Sequence, residues 1–400
     1  MVLGRPQTEL DAAGGSWTAR EIAQQPQVWE SIDVLMRREA GAGRAFLAPL
    51  LAQDALRIVL TGAGSSAFGG ECLVPSLKLA TRRRVEAVPT TDLVGAPGLW
   101  LEPSVPTLLV HFARSGNSPE SVAALDVAGQ GVRDCHHLVV TCNADGDLCR
   151  EARRLRNAHV LVLPPETNDR GFAMTSSFTG MMLATALAFD PNPHERRVRP
   201  ARLAGWASQL LDTRLALIAN LAKSRFERVV YLGGQTFKGL AREAALKLLE
   251  LSDGRVVALA ETPLGFRHGP KTIVNGNTLV VMFLGNDPHT RRYEMDVLAE
   301  LRSDGIAARV MALHAEPTAP VGAPEHVHGA AGSELADDVP VHGAADASDL
   351  ELCFPYAVFA QTFAFLQSLE LGLRPDTPNA LGVVNRVVQG VSIYPWDPSR

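Results

Sequence analysis

Apolar and β-branched residues fall in short runs, each closed by a turn and followed by a helix-period pattern. Residues 56–61 form the first run and end in Gly62-Ala63-Gly64-Ser65-Ser66. Residues 107–112 form the second and end in Ala113-Arg114-Ser115-Gly116-Asn117-Ser118. Runs at 137–142 and 158–163 close at Asn143 and Pro164. Strands alternating with helices predict a parallel sheet covered on both faces. Ahead of the first strand, Thr18 and Glu21 have the spacing of a capping box, and Pro26 is expected to end that helix. Val28, Trp29, Ile32, Leu35 and Met36 line one face of a second helix. The pair has no core of its own and is expected to dock on the first domain.

The pattern then repeats. Residues 229–232 with Gly233-Gly234 reproduce the first strand and turn, Gly62 and Gly233 lying 171 positions apart. TLVVMF at 278–283 reproduces TLLVHF at 107–112 at the same spacing, and 309–313 matches the third strand with a shift of one. Three strands in register predict duplication of one α/β unit. The expected organisation is N-terminal helices over 1–50, a first domain over 51–195, a linker helix over 196–224, a second domain over 225–375 and a tail over 376–400. The stretch 314–349, rich in Ala, Gly, Pro, Asp and His, reads as a disordered insertion. Its His326, His328 and His342 lack metal-site spacing. A core helix carrying Phe354, Val358, Phe359, Thr362, Phe363 and Leu366 follows, and the tail shows helix signal only at 383–388.

Composition narrows the classes. A chain of 400 residues, 46% hydrophobic and 20% charged, is longer than one core usually serves. Net charge is −5, and Arg82-Arg83-Arg84, the one dense basic run, reads as a solvated surface turn; both argue against nucleic acid. Five cysteines without a CxxC pair read as buried reduced thiols and offer no zinc site. The N-terminus has no apolar signal segment, and the longest apolar stretch, at 180–189, is too short to span a membrane, so the expected compartment is the cytoplasm.

In a parallel α/β sheet, ligands sit beyond the carboxyl ends of the strands, where helix N-termini favour a phosphate. Two adjacent turns there carry hydroxyls, Ser65 and Ser66 after the first strand and Ser115 and Ser118 after the second. Plain helix capping explains one such turn; two together point to a phosphate cradle. Thr175-Ser176-Ser177 opens another helix and is a third candidate. The duplicate turns, Gly233-Gly234-Gln235 and Leu284-Gly285-Asn286-Asp287, lack paired serines, so only the first half is equipped for phosphate. In the second half, Lys247 lies three residues before Glu250 and four after Glu243, which taken alone reads as surface ion pairing. His268 precedes Gly269-Pro270 in a fixed turn.

At these residues the sequence resembles the SIS (sugar isomerase) domain family. Within it, the chain is similar to the tandem-domain galactosamine-6-phosphate deaminase/isomerase branch, also labelled tagatose-6-phosphate ketose/aldose isomerase. The segments that carry the resemblance are TGAGSSAF, FARSGNSPESVAAL, VVTCNADGDL, AMTSSFT, EAALKLLEL, TPLGFRHGPKT and NRVVQGVSIYP. It implies two tandem SIS domains, each a parallel-sheet α-β-α sandwich of flavodoxin-like type. It also implies that Ser65, Ser66, Ser115 and Ser118 hold the phosphate, with Gly64, Arg114, Asn117, Thr175, Ser176 and Gln389 as further substrate contacts. Glu250 would carry a proton between C2 and C1, Lys247 would assist at the reacting carbons, and His268 would open the sugar ring. The tail would close the active site. A homodimer or higher oligomer with sites at subunit contacts is implied, and no cofactor or metal is required.

The related isomerase half of glucosamine-6-phosphate synthase has a lysine near its C-terminus where Gln389 stands, and glutamine or serine where Ala113 and Arg114 stand. Synthases also carry a glutaminase domain led by a cysteine, whereas Val2 follows the methionine here, so deamination is the expected direction. Simple ketose/aldose isomerisation uses the same residues. A non-catalytic sugar-phosphate sensor is the alternative from another class; residues 1–50 lack the basic character of a DNA-binding helix pair.

Overall fold

The runs of β-branched residues become strands of two five-stranded sheets in a computed structural model, which describes residues 1–190, 197–317, 338–379, 381–388 and 390–398. The first sheet contains β1 (Arg57–Thr61), β2 (Arg84–Ala87), β3 (Thr107–Ala113), β4 (Cys135–Thr141) and β5 (Ala158–Val162), in the order β2-β1-β3-β4-β5. The second contains β6 (Arg228–Gly233), β7 (Val257–Glu261), β8 (Thr278–Phe283), β9 (Arg309–Glu316) and β10 (Val339–His342), in the order β10-β9-β8-β6-β7. Every pairing is parallel. Counted from its own first strand, each sheet has the same order, as the repeat at 171 positions predicts.

The chain divides into two compact units, residues 16–200 with 379–400, and residues 1–15 with 201–378. In the helix series, α1 (Gln7–Ala13) belongs to the second-sheet unit. The first-sheet unit holds α2 (Ser16–Ala23), α3 (Gln25–Leu51), α4 (Ser65–Thr81), α5 (Thr90–Gly95), α6 (Pro97–Trp100), α7 (Pro119–Gly131), α8 (Asp147–Ala152) and α9 (Ser176–Ala188). The second-sheet unit continues with α10 (Pro200–Lys223), α11 (Thr236–Leu251), α12 (Pro263–Phe266), α13 (Pro288–Asp304) and α14 (Asp349–Glu370). Buried apolar side chains of β1, β3 and β4 meet α5, α7 and α8 in the first unit, and those of β6, β8 and β9 meet α13 in the second.

Several expectations need correction. The edge strands β2, β7 and β10 escape sequence reading because each is only four or five residues long, β2 being half polar as Arg84-Val85-Glu86-Ala87 and β10 carrying Pro340. Arg84 therefore opens a strand and pairs with Glu86 and Glu102, so 82–84 is not simply a solvated turn. The stretch 314–349 is not wholly an insertion. His314 lies in β9 and 339–342 form β10, while 318–337, with His326 and His328, lie outside the described residues. The tail at 383–388 is not helical. The apolar stretch at 180–189 is not the longest either. By length and composition α14 could cross a membrane, but nearly all of it is buried inside its unit.

The capping box also fails. Thr18 lies inside α2, and the Glu21 carboxylate instead accepts the amides of Arg170 and Gly171, 149 and 150 residues away. Pro26 does not end α2, which stops at Ala23, but sits in the first turn of α3. That helix docks on α9 through Trp29 Nε1, which donates to Thr179 Oγ1 at 3.0 Å, and Thr179 in turn donates to Gln25 Oε1 at 2.7 Å.

Candidate active site

In the first-sheet unit, strand order reverses between β1 and β3, and both candidate serine turns leave the carboxyl ends of these two strands. Gly62 is required by close approach, since a Cβ there would lie 2.5 Å from the Ser66 Cβ. The tight turn puts Ser65 at the first position of α4, with Gly64 as its cap, so the positive end of a 17-residue helix faces the crevice. Ser65 and Ser66 are buried, and among the described residues neither hydroxyl has a hydrogen-bond partner. A hydroxyl without an internal partner at a helix N-terminus is suited to an anion from outside.

The turn after β3 is held differently. Ser115 Oγ accepts the Asn117 amide at 3.3 Å. Ser118 caps α7 without a side-chain bond to a backbone amide of the first turn; its Oγ donates to Glu120 Oε2 at 3.1 Å and lies 3.1 Å from Ser121 Oγ. Asn117 is exposed. The buried Arg114 guanidinium donates to the carbonyls of Phe172 at 3.1 Å and Arg386 at 2.7 Å, and the Arg386 guanidinium bonds to the Asp169 carbonyl. Arg114 thus ties tail and loop together beside the serine turn. Gln389 lies outside the described residues.

The third candidate turn is already occupied by the chain itself. Asp169, fully buried, accepts the amides of Thr175 at 2.8 Å, Ser176 at 3.1 Å and Ser177 at 2.9 Å, together with the hydroxyls of Thr175 and Ser177. Ser176 Oγ donates to the Glu21 carbonyl at 2.6 Å. The N-terminus of α9 therefore has its anion from within, and the Thr175 and Ser176 hydroxyls both donate to groups of the chain itself. A carboxylate six residues upstream, across an irregular loop, left no periodic signal.

In the second-sheet unit, the turns after β6 and β8 are filled in a comparable way. Glu294 of α13, 2% exposed, accepts the Gly285 amide at 2.9 Å, and its other oxygen has no partner. That oxygen would lie 3.4 Å from a Cβ on Gly234, at the start of α11. Asp349 accepts the Asn286 amide at 2.7 Å. Burial raises the Glu294 carboxyl to about 7, with Asp349 and Asp287 adding to the rise and the Gly285 amide and Arg291 opposing it. A buried carboxyl, Glu294, and a half-buried one, Asp349, at this second switch point agree with its lack of paired serines.

The α11 helix carries Lys247 and Glu250 on one face, and they are not a surface pair. Lys247 is 1% exposed, with its ammonium against Glu250 Oε2 and 3.5 Å from the buried Glu243. The Glu250 side chain keeps 24% exposure. Of the two, only Glu250 reaches solvent, so Lys247 is placed to hold it. His268 is exposed on a rigid turn. Its amide donates to the Gly265 carbonyl at 3.0 Å, Pro270 opens a 3-10 turn, and Arg267 binds Glu300 at 2.6 Å.

Two serine turns at the carboxyl ends of adjacent parallel strands, one of them opening a long helix, form the place where α/β domains of this class take an anionic ligand. The SIS domain model matches residues 50–190, and the chain belongs to the SIS domain family, in the branch that contains AgaS. The D-galactosamine-6-phosphate deaminase AgaS of Escherichia coli is 45% identical over 395 residues, which is 97% of this chain and 98% of that protein. The solved tagatose-6-phosphate ketose/aldose isomerase of Escherichia coli superposes with TM-score 0.83 at 41% identity, covering 96% of this chain and 98% of that one. A Clostridium novyi NT structure provisionally assigned to the same isomerase activity gives TM-score 0.91 at 37% identity, over 99% of each chain.

Proposed function

We propose that this protein is a D-galactosamine-6-phosphate deaminase. The observation that carries the proposal is the nearly end-to-end 45% identity to the Escherichia coli enzyme of that name. The geometry of each unit fits it. The first-sheet unit, which we read as one SIS domain of flavodoxin-like type from its 2-1-3-4-5 order, holds the phosphate through Ser65, Ser66, Ser115 and Ser118. The phosphate does no chemistry, but its binding energy positions the sugar. The second-sheet unit, read as the other SIS domain, supplies the proton-transfer groups.

In the proposed reaction, His268 assists opening of the sugar ring to the aldehyde. Glu250 removes the proton from C2 and returns it to C1, turning the 2-amino aldehyde into a 1-hydroxy-2-imine. Water adds to C2 and ammonia leaves, giving the ketose 6-phosphate, tagatose 6-phosphate from galactosamine 6-phosphate. One water is consumed and one ammonia released. Lys247 acts through Glu250, keeping the carboxylate oriented.

A second reading, ketose/aldose isomerisation without loss of nitrogen, is favoured by the isomerase name of the 41% identical Escherichia coli structure. Ammonium release from galactosamine 6-phosphate and glucosamine 6-phosphate, measured with the native chain and Glu250→Gln, separates the two. Release that falls by about 10² or more in the variant supports the deaminase and its base. No release from either sugar, with interconversion of unaminated ketose and aldose phosphates, would replace it with the isomerase.

A further inference from the structure

The loop after β4 touches the serine turn after β3 at four points. Asn143 Nδ2 donates to the Ser115 carbonyl at 2.8 Å. The Leu148 amide donates to the Gly116 carbonyl at 2.9 Å, and the Asp147 amide to Asn117 Oδ1 at 3.0 Å. Gly146 presses against the same turn so closely that a Cβ there would lie 2.5 Å from the Ser115 carbonyl oxygen. Asn143 is itself oriented, its amide donating to Thr141 Oγ1 at 3.2 Å and its Oδ1 accepting the Asp145 amide at 3.1 Å. Both polar ends of one side chain are therefore committed, one to its own loop and one to the serine turn.

We propose that Asn143 is a positioning residue for phosphate binding, with Gly146 supplying the close approach it needs. The proposal rests on the reading of Ser115 and Ser118 as phosphate ligands. Asn143 holds the Ser115 carbonyl itself, while the Ser115 hydroxyl closes the turn onto Asn117 and the next carbonyl, of Gly116, takes the Leu148 amide. With the Asn143 bond removed, the Ser115 peptide loses its own anchor, and its hydroxyl shifts within the play that the remaining bonds of the turn allow. A ligand group misplaced by a fraction of an ångström loses much of its binding advantage. The effect falls on phosphate affinity and leaves proton transfer, which uses other residues, largely intact.

The test compares the wild type with Asn143→Ala, Asn143→Asp and Gly146→Ala. Calorimetric affinity for inorganic phosphate is measured beside KM and kcat for galactosamine 6-phosphate, with thermal denaturation as the check on folding. Asn143→Asp keeps the acceptor for Asp145 but sets a carboxylate oxygen against the Ser115 carbonyl, and Gly146→Ala displaces the turn by contact. About tenfold weaker phosphate binding is expected in Asn143→Ala, with KM raised in parallel and kcat within about twofold. The other two variants are expected to weaken phosphate binding at least as much. Folded variants that bind phosphate like the wild type would overturn the proposal. A wild type that binds phosphate but releases no ammonium would instead overturn the deaminase reading, and weaker phosphate binding in the variants would still support the role of Asn143.

Discussion

Replacing Asp169 with asparagine asks whether the chain itself closes the N-terminus of α9. The carboxylate takes three backbone amides and two hydroxyls, and no part of it reaches solvent. Asparagine has nearly the same shape but only one acceptor oxygen. In its better orientation that oxygen replaces Oδ2 and keeps the amides of Thr175 and Ser177, while the new NH₂ faces the Ser176 amide. The Thr175 hydroxyl can rotate to accept from that NH₂; the Ser176 amide has no such freedom. A buried amide left without an acceptor costs about 1–3 kcal/mol, and the lost negative charge at a helix N-terminus up to about 2 kcal/mol. Together these give about 1–5 kcal/mol. For a unit of this size that corresponds to a Tm lower by roughly 2–20 °C, read by thermal denaturation at pH 7. Asp145→Asn, at an exposed position, is the control. A loss below about 0.5 kcal/mol in Asp169→Asn would refute the capping account and reopen the turn as a place for a ligand's anion.

Two further predictions concern pH. Glu294 holds its proton to about 7 in the folded chain, whereas the unfolded carboxyl ionises near 4.5. Because the folded state binds the extra proton, stability falls as pH rises between these values, by about 3 kcal/mol in all. Glu294→Gln should therefore gain stability relative to the wild type between pH 5 and pH 8, and an unchanged difference in urea midpoints would contradict this. The buried pair His111–His137, joined at 3.0 Å, works on the acid side: burial lowers His137 to about 4 and His111 well below its ordinary value. The unfolded imidazoles take up protons below about 6.5 while the folded pair stays neutral, so stability drops as pH falls from 6.5 toward 4, by about 3 kcal/mol for His137 alone. His137→Leu should show a shallower acid slope in Tm even if it is less stable at pH 7; an identical slope would remove His137 from the account.

Local pattern was enough for the inner strands and for the paired serine turns. A buried parallel strand is a continuous apolar run, its turn must carry glycine where the backbone crowds, as at Gly62, and hydroxyls at helix starts stand out by position. The duplication was equally readable, since matching strands keep their spacing. The edge strand β5 was readable too, but the edge strands β2, β7 and β10 were not, because each has only four or five residues and a strand partner on one side alone. Tertiary structure alone decided which polar groups face inward. Lys247 and Glu250 at a three-residue step look solvent-facing until the apolar helix α14 packs on α11. Thr175 and Ser176 look available until Asp169 folds under them, and Glu21 looks like a cap until the amides of 170 and 171 arrive. In each case the partner is set by how loops and helices pack, and periodicity along the chain carries no information about groups that meet only after folding.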